Sequence, residues 1–200
     1  MLVVAHYDSY SAIPALSHGS DSNGSGVAVL LELMAIFNRA YNAQQMGTSK
    51  PKYNLLFLLS AGGPFSYQGT RQWIDNFNEK HSNERIVMAI CLDSLGGAGD
   101  TLYVHNSKIP SEGSNTHNLV RQLQNFAPSH YPVELVTRKI NLTAERLAWE
   151  HEIFNIRKIH SITLSSRNNH NERLVTSLGG RHDIEYPFLG TPSLTTTRPT

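Results

Sequence analysis

Short apolar runs alternate along this chain with longer stretches of helical periodicity. The short runs cover residues 2–5, 54–60, 86–93, 101–105, 133–138 and 159–164, and they are rich in valine, leucine and isoleucine. Their length is that of strands rather than helices. Between them apolar positions recur every three or four residues. Over residues 27–42 they cover most of the surface, which predicts a heavily buried helix. Residues 68–80 turn around Trp73, Ile74 and Phe77, and residues 115–126 place Leu119, Leu123 and Phe126 on one face. A fourth helix is predicted over residues 142–155, with Asn141 as its N-cap and Leu147, Ala148 and Phe154 turned inward. Strands alternating with helices imply an α/β fold, a mixed, mostly parallel sheet flanked by helices on both faces.

This pattern fades after the last strand. The predicted domain spans residues 1–166, and residues 167–200 are expected to form an irregular tail. The last twenty residues hold three prolines and five threonines without periodicity. The opening "MLVVAH" enters a strand at once, which suggests a fragment incomplete at its N-terminus, without leader or membrane anchor. The longest apolar stretch, "VAVLLELMAIF", is about half of the ~20 residues a bilayer requires and contains Glu32, so no span is predicted within the chain. Two hundred residues with 40% hydrophobic and 16% charged content fit one folded domain with a sizeable core. A net charge of +1 without a basic stripe argues against nucleic acid as the main partner. The one cysteine, Cys91, excludes an internal disulfide and sits in an apolar run as a buried thiol.

Four segments carry polar groups where chemistry is usually placed. In "AHYDS", His6 and Asp8 share one face of a strand end, so the carboxylate can approach the imidazole. That arrangement orients metal-binding histidines, and it also occurs as an ordinary hydrogen-bonded pair. The loop "GSDSNGSG" feeds a helix, with Asp21, Ser22 or Asn23 available as cap; it lacks the lysine and spacing of a phosphate loop. Asp93 ends the strand in "AICLDSLGG", where open α/β sheets hold ligands and where aspartates also cap loops. "LLSAGGPF" ends a strand in a loop holding Gly63 and Pro64 and no ionisable group. Glu150, His151 and Glu152 are consecutive and diverge on a helix, so His151 is expected at the surface or as a cap. Ser22 and Ser25 have no elbow motif or base that would support a serine hydrolase.

In this order the motifs resemble the co-catalytic di-zinc aminopeptidases, over about residues 2–164. The resemblance implies a bridging aspartate four residues before Gly26, where this chain has Ser22, with Asp21 one residue out of register. It implies a general base and a zinc ligand where this chain has Gly63 and Pro64. His6 and Asp93 remain as relic ligand positions, Asp8 as a relic orienter, and His170 is the one candidate for a final ligand. A catalytic zinc needs about three protein ligands and an open position. Losing the base alone typically removes 10²–10⁴-fold of rate. The implied protein therefore has no catalytic residues, metal or cofactor.

The segments "HYDS", "DSNGSGVAVLLEL", "SAGG", "YQGT", "CLDSLG" and "LAWEHEIFNIRK" are most similar to the nicastrin-related branch of the endoplasmic reticulum. This similarity implies a luminal, non-catalytic domain serving as a protein-interaction scaffold in a membrane complex. The implied partners are the nodal modulator protein and a small multi-spanning membrane protein, with roles in translocon-associated biogenesis of multi-pass proteins and in Nodal signalling. The sequons at Asn23 and Asn141 are possible glycosylation sites in that compartment. The alternatives are a zinc peptidase rearranged around His6, Asp21, Asp93 and His170, and a module that binds peptide ends without cleavage through the loop at residues 22–26 and an exposed Asp93.

Overall fold

The computed structural model describes residues 1–9, 19–44, 53–81, 83–97, 99–144 and 146–171. Its strands are β1 (Leu2–His6), β2 (Leu56–Ser60), β3 (Ala89–Leu92), β4 (Leu102–Asn106), β5 (Val133–Thr137) and β6 (Ser161–Ser165). They form one sheet in the order β2-β1-β3-β6-β4-β5. Every pairing is parallel except that of β4 with β6. The helices are α1 (Gly26–Gln44), α2 (Gln68–Lys80), α3 (Asn115–Phe126) and α4 (His151–Ile156). The expected mixed, mostly parallel sheet between helices is the fold observed.

Side-chain alternation along the strands divides the core in two. Val3 and Ala5 of β1 join Leu30, Leu92, Val120 and Ile162 on the side of α1 and α3. Leu2 and Val4 join Tyr67, Ile74, Cys91 and Phe154 on the side of α2 and α4. Burial on both faces explains why the central strands β1, β3 and β6 read as nearly continuous apolar runs. From β1 the chain passes through α1 outward to β2, then through α2 back across β1 to β3. The winding direction therefore reverses between β1 and β3, and their carboxyl ends flank the crevice where such folds place ligands. His6 ends β1 and Asp93 follows β3, its N–H donating to Leu164 O at 3.1 Å. Among the described residues no helix is long and apolar enough to cross a membrane.

Two helix expectations are corrected. The fourth helix starts at His151, not at residue 142. The N–H of Leu147 donates to Ser66 Oγ and that of Ala148 to Glu152 Oε2, so neither enters a helical ladder. Asn141 caps only a turn, accepting from the Thr143 N–H and hydroxyl, and Leu142 is 76% exposed. In α1, Leu30 is buried, whereas Leu31, Met34, Ile36 and Phe37 are 36–46% exposed. The helix meets the sheet along one stripe, and its remaining apolar surface is not covered by the described residues. Leu30→Ala is therefore expected to cost about 2–5 kcal/mol in urea unfolding, against about 0.5 kcal/mol or less for Leu31→Ala. Equal losses would show that α1 presents a different face to the sheet.

Candidate functional site

The crevice is shaped by the loop after β2. Gly62 turns the chain with φ 77°, a left-handed conformation suited to glycine, and residues 63–65 follow as one tight turn around Pro64. The N–H groups of Gly62 and Gly63 converge on one point, where the Asp8 carboxylate accepts both, at 2.9 and 3.1 Å. Asp8 therefore holds this loop rather than the His6 ring, which corrects its expected orienting role. The His6 ring lies directly on Gly63: a Cβ there would fall 2.7 Å from His6 Cγ and 3.0 Å from Nε2. The position that resembles the general base has no room for a side chain while His6 keeps this conformation.

His6 is 3% exposed and meets Tyr67 edge-on, with ring centroids 5.5 Å apart. Its Nδ1 lies 4.0 Å from Oε2 of Glu150, which is fully buried, and neither atom has a hydrogen-bond partner in the protein. Glu150 Oε1 accepts from Ser60 Oγ at 3.0 Å and Thr70 Oγ1 at 2.5 Å. Burial pushes the Glu150 carboxyl above its ordinary range, opposed by His6 and these two hydroxyls. Glu150 is the site residue that sequence reasoning missed. Its signal was a charged residue within "LAWEHEIF", among apolar residues that become core.

The three consecutive residues diverge, as expected. Glu150 reaches Ser60 and Thr70, His151 Nδ1 lies 2.9 Å from Thr163 Oγ1, and Glu152 accepts from the Ala148 N–H at 3.1 Å. His151 is buried rather than at the surface, because α4 packs that side against β6. Burial, then the charge of His105, lowers its pKa to about 3. His105 stacks on Trp149 with centroids 4.2 Å apart, and burial lowers its pKa to about 4.

The loop before α1 is equally committed. Asp21 Oδ2 pairs with Arg167 at 2.8 Å, and Oδ1 accepts from the Gly96 N–H at 3.0 Å. Ser22 Oγ donates to Asn23 Oδ1 at 2.5 Å, and the Asn23 amide donates to the Asp8 carbonyl. Of the two sequons, Asn23 is buried and Asn141 is exposed. Asp93 is fully buried, accepting from Ser94 Oγ at 2.8 Å and Tyr67 Oη at 3.4 Å. That overturns the peptide clamp built on an exposed Asp93, since Tyr67 and Ser94 close over the strand end. Arg167 was expected in an irregular tail, yet it is anchored to Asp21; residues 172–200 of that tail lie outside the described residues. His170 Nδ1 lies 3.1 Å from the Arg138 guanidinium beyond β5, so it does not join His6 and Asp93.

The residues at the resembled zinc positions do not fit a zinc site. Gly63 and Pro64 offer no side-chain donor, Ser22 is tied to Asn23, and both Asp21 oxygens are taken. Among the described residues no three histidine, cysteine, aspartate or glutamate side chains converge as a metal-binding group.

Two predictions follow from this packing. Gly63→Glu is expected to destabilise by roughly 1–3 kcal/mol through overpacking against His6; urea unfolding checks it. Acid should weaken the fold through His105 and His151, whose folded pKa values of about 4 and about 3 lie below the ordinary 6.5. Below 6.5 the unfolded chain takes up protons that the folded chain refuses. Stability is then full above pH 6.5 and falls toward pH 4, by about 1.4 kcal/mol per pH unit for each histidine at most. Glu150 acts oppositely, its raised pKa favouring the folded state as pH falls. Urea unfolding from pH 7 to 5 should show a decline that flattens in His151→Gln; a flat wild-type profile excludes it.

Residues 1–173 match the model of peptidase family M28. The chain is 43% identical over 188 residues to the BOS complex subunit NCLN of Gallus gallus, a match covering 90% of this chain and 33% of that protein. To the Nicalin of Caenorhabditis elegans it is 41% identical over 181 residues, covering 82% of this chain and 31% of that protein. The chain thus spans about a third of the length of these curated relatives. The LapA aminopeptidase of Legionella pneumophila shares the fold with a TM-score of 0.59 at 15% identity, over 83% of this chain and 40% of that one. The resemblance drawn from the motifs is borne out at the level of family and of these homologues.

Proposed function

This chain belongs to peptidase family M28, and we propose that within it the chain is a non-catalytic, aminopeptidase-like luminal domain serving as a protein-interaction scaffold in an endoplasmic reticulum membrane complex. The observation that carries this reading is the contact of His6 with Gly63, which fills the position a general base would need. The relatives named as BOS complex subunits support the complex. On the same resemblance, the proposed partners are the nodal modulator protein and a small multi-spanning membrane protein. The proposed role is in translocon-associated biogenesis of multi-pass membrane proteins, with regulation of Nodal signalling as a second output.

The rearranged zinc peptidase is the weaker reading. It requires Asp21 to leave both Arg167 and Gly96, and His170 to leave Arg138, before either approaches His6. Elemental analysis after incubation with zinc and hydrolysis of a leucine anilide separate the two. The scaffold reading expects substoichiometric zinc, no turnover above the uncatalysed rate, and co-precipitation of the proposed partners from membranes with the tagged chain. Near-stoichiometric zinc with turnover abolished by His6→Ala would overturn it, as would failure to recover those partners.

A further inference from the structure

The antiparallel step between β6 and β4 turns β4 and β5 around, so their carboxyl ends lie at the edge of the sheet opposite His6 and Asp93. A cleft of about 920 Å³ opens there, lined by the loops after β4 and β5, the start of α3 and the turn before β6. Lys108, Lys139 and Lys158 all line it, one from each loop, and no aspartate or glutamate does. Among the described residues none of these lysines is in an ion pair. Three lysines lining one cleft, with no acid among its lining residues, carry a repulsive cost that a multivalent anion removes.

The lysines are carried on fixed backbone. The Asn106 amide donates to the Lys108 carbonyl at 2.6 Å, and the Arg138 N–H beside Lys139 donates to the Asn106 carbonyl at 2.9 Å. Lys158 is held at φ 61°, with its N–H on the Asn155 carbonyl at 3.0 Å. Ser111 and Thr116 add hydroxyls to the lining, while Ile109, 75% exposed, and Ile140 give it an apolar part.

We propose that this cleft binds the phosphate group of an anionic ester. Phosphate carries one charge as a diester and close to two as a monoester, with several acceptor oxygens in both, which three lysines and neighbouring hydroxyls match better than they match a single carboxylate. The apolar lining suits the ester's organic portion. The same chemistry is offered by a soluble phosphate ester and by an anionic lipid headgroup. The cleft is independent of the scaffold reading, being at the opposite end of the sheet from His6 and Asp93.

The test titrates the full chain at low salt with pyrophosphate by calorimetry, and sediments it with phosphatidylcholine vesicles with and without phosphatidylserine. Lys108→Ala, Lys139→Ala and Lys158→Ala should each weaken binding about fivefold, and all three together on the order of a hundredfold, with unchanged circular dichroism. Lys80→Ala, at the end of α2, is the control and should leave binding intact. Pyrophosphate binding with this lysine dependence supports the site with a soluble ester as source. Binding only to vesicles containing phosphatidylserine, with the same dependence, supports it with a lipid source. Binding to neither probe, or binding that the three cleft lysines affect no more than Lys80 does, overturns it.

Discussion

A carboxylate cut off from solvent must find its hydrogen bonds inside the protein, and Glu150 takes them from two separate elements. Ser60 closes β2 and Thr70 lies in the first turn of α2, so both ends of the connecting loop are drawn toward one oxygen. Burying this group is costly, and removing either hydroxyl weakens what compensates for it, at about 1–3 kcal/mol for a donor or acceptor left unsatisfied. The loop between Ser60 and Thr70 is then short of freedom. Asp8 fixes Gly62 and Gly63 from the other side, and His6 fills the space between Gly63 and Glu150. The shape of this loop is a consequence of these commitments.

The loop before α1 repeats the principle with a different pair. Asp21 binds Arg167 and Gly96, which ties this loop to the chain segments that follow β3 and β6. Here the carboxylates of Asp8, Asp21, Asp93 and Glu150 already accept hydrogen bonds from the protein itself. Carboxylates that accept from backbone and side chains remote in sequence fix the loops they join.

Much of the framework was legible in the sequence because it depends on local period. All six predicted strands are present, and α2 and α3 have the predicted bounds, since alternation and helical spacing are properties of neighbouring residues. What failed depends on contacts distant in the chain. The predicted helix over residues 142–155 lost its first half because Leu147 and Ala148 bond to side chains instead of to a helical ladder. The apolar surface of α1 predicts burial, but only the stripe around Leu30 meets the sheet. Glu150 and His151 were not legible as core because charged and imidazole groups are usually exposed. Ser60, Thr70 and Thr163, remote in sequence, supply hydrogen bonds that make their burial tolerable. That the loop after β2 holds Gly63 and Pro64 and no ionisable group is legible in the sequence, whereas the seating of His6 on Gly63 depends on a contact distant in the chain.

Sheet polarity separates what is fixed here from what is free to differ. At the edge formed by the ends of β1, β3 and β6, the loops are pinned to one another by Glu150, Asp8 and Asp21, and a substitution there disturbs several elements together. At the opposite edge, the turns after β4 and β5 are held chiefly through Asn106, and their side chains are not part of the core. Lys108 and Lys139 belong to those turns, and neither is in an ion pair among the described residues. The reversal at β4 is therefore what gives one sheet two unlike ends: one closed by internal hydrogen bonds, the other open and positively charged. Among the described residues the hydrogen bonds of Glu150, Asp8 and Asp21 lie at the first end, so a substitution of Lys108 or Lys139 leaves them intact.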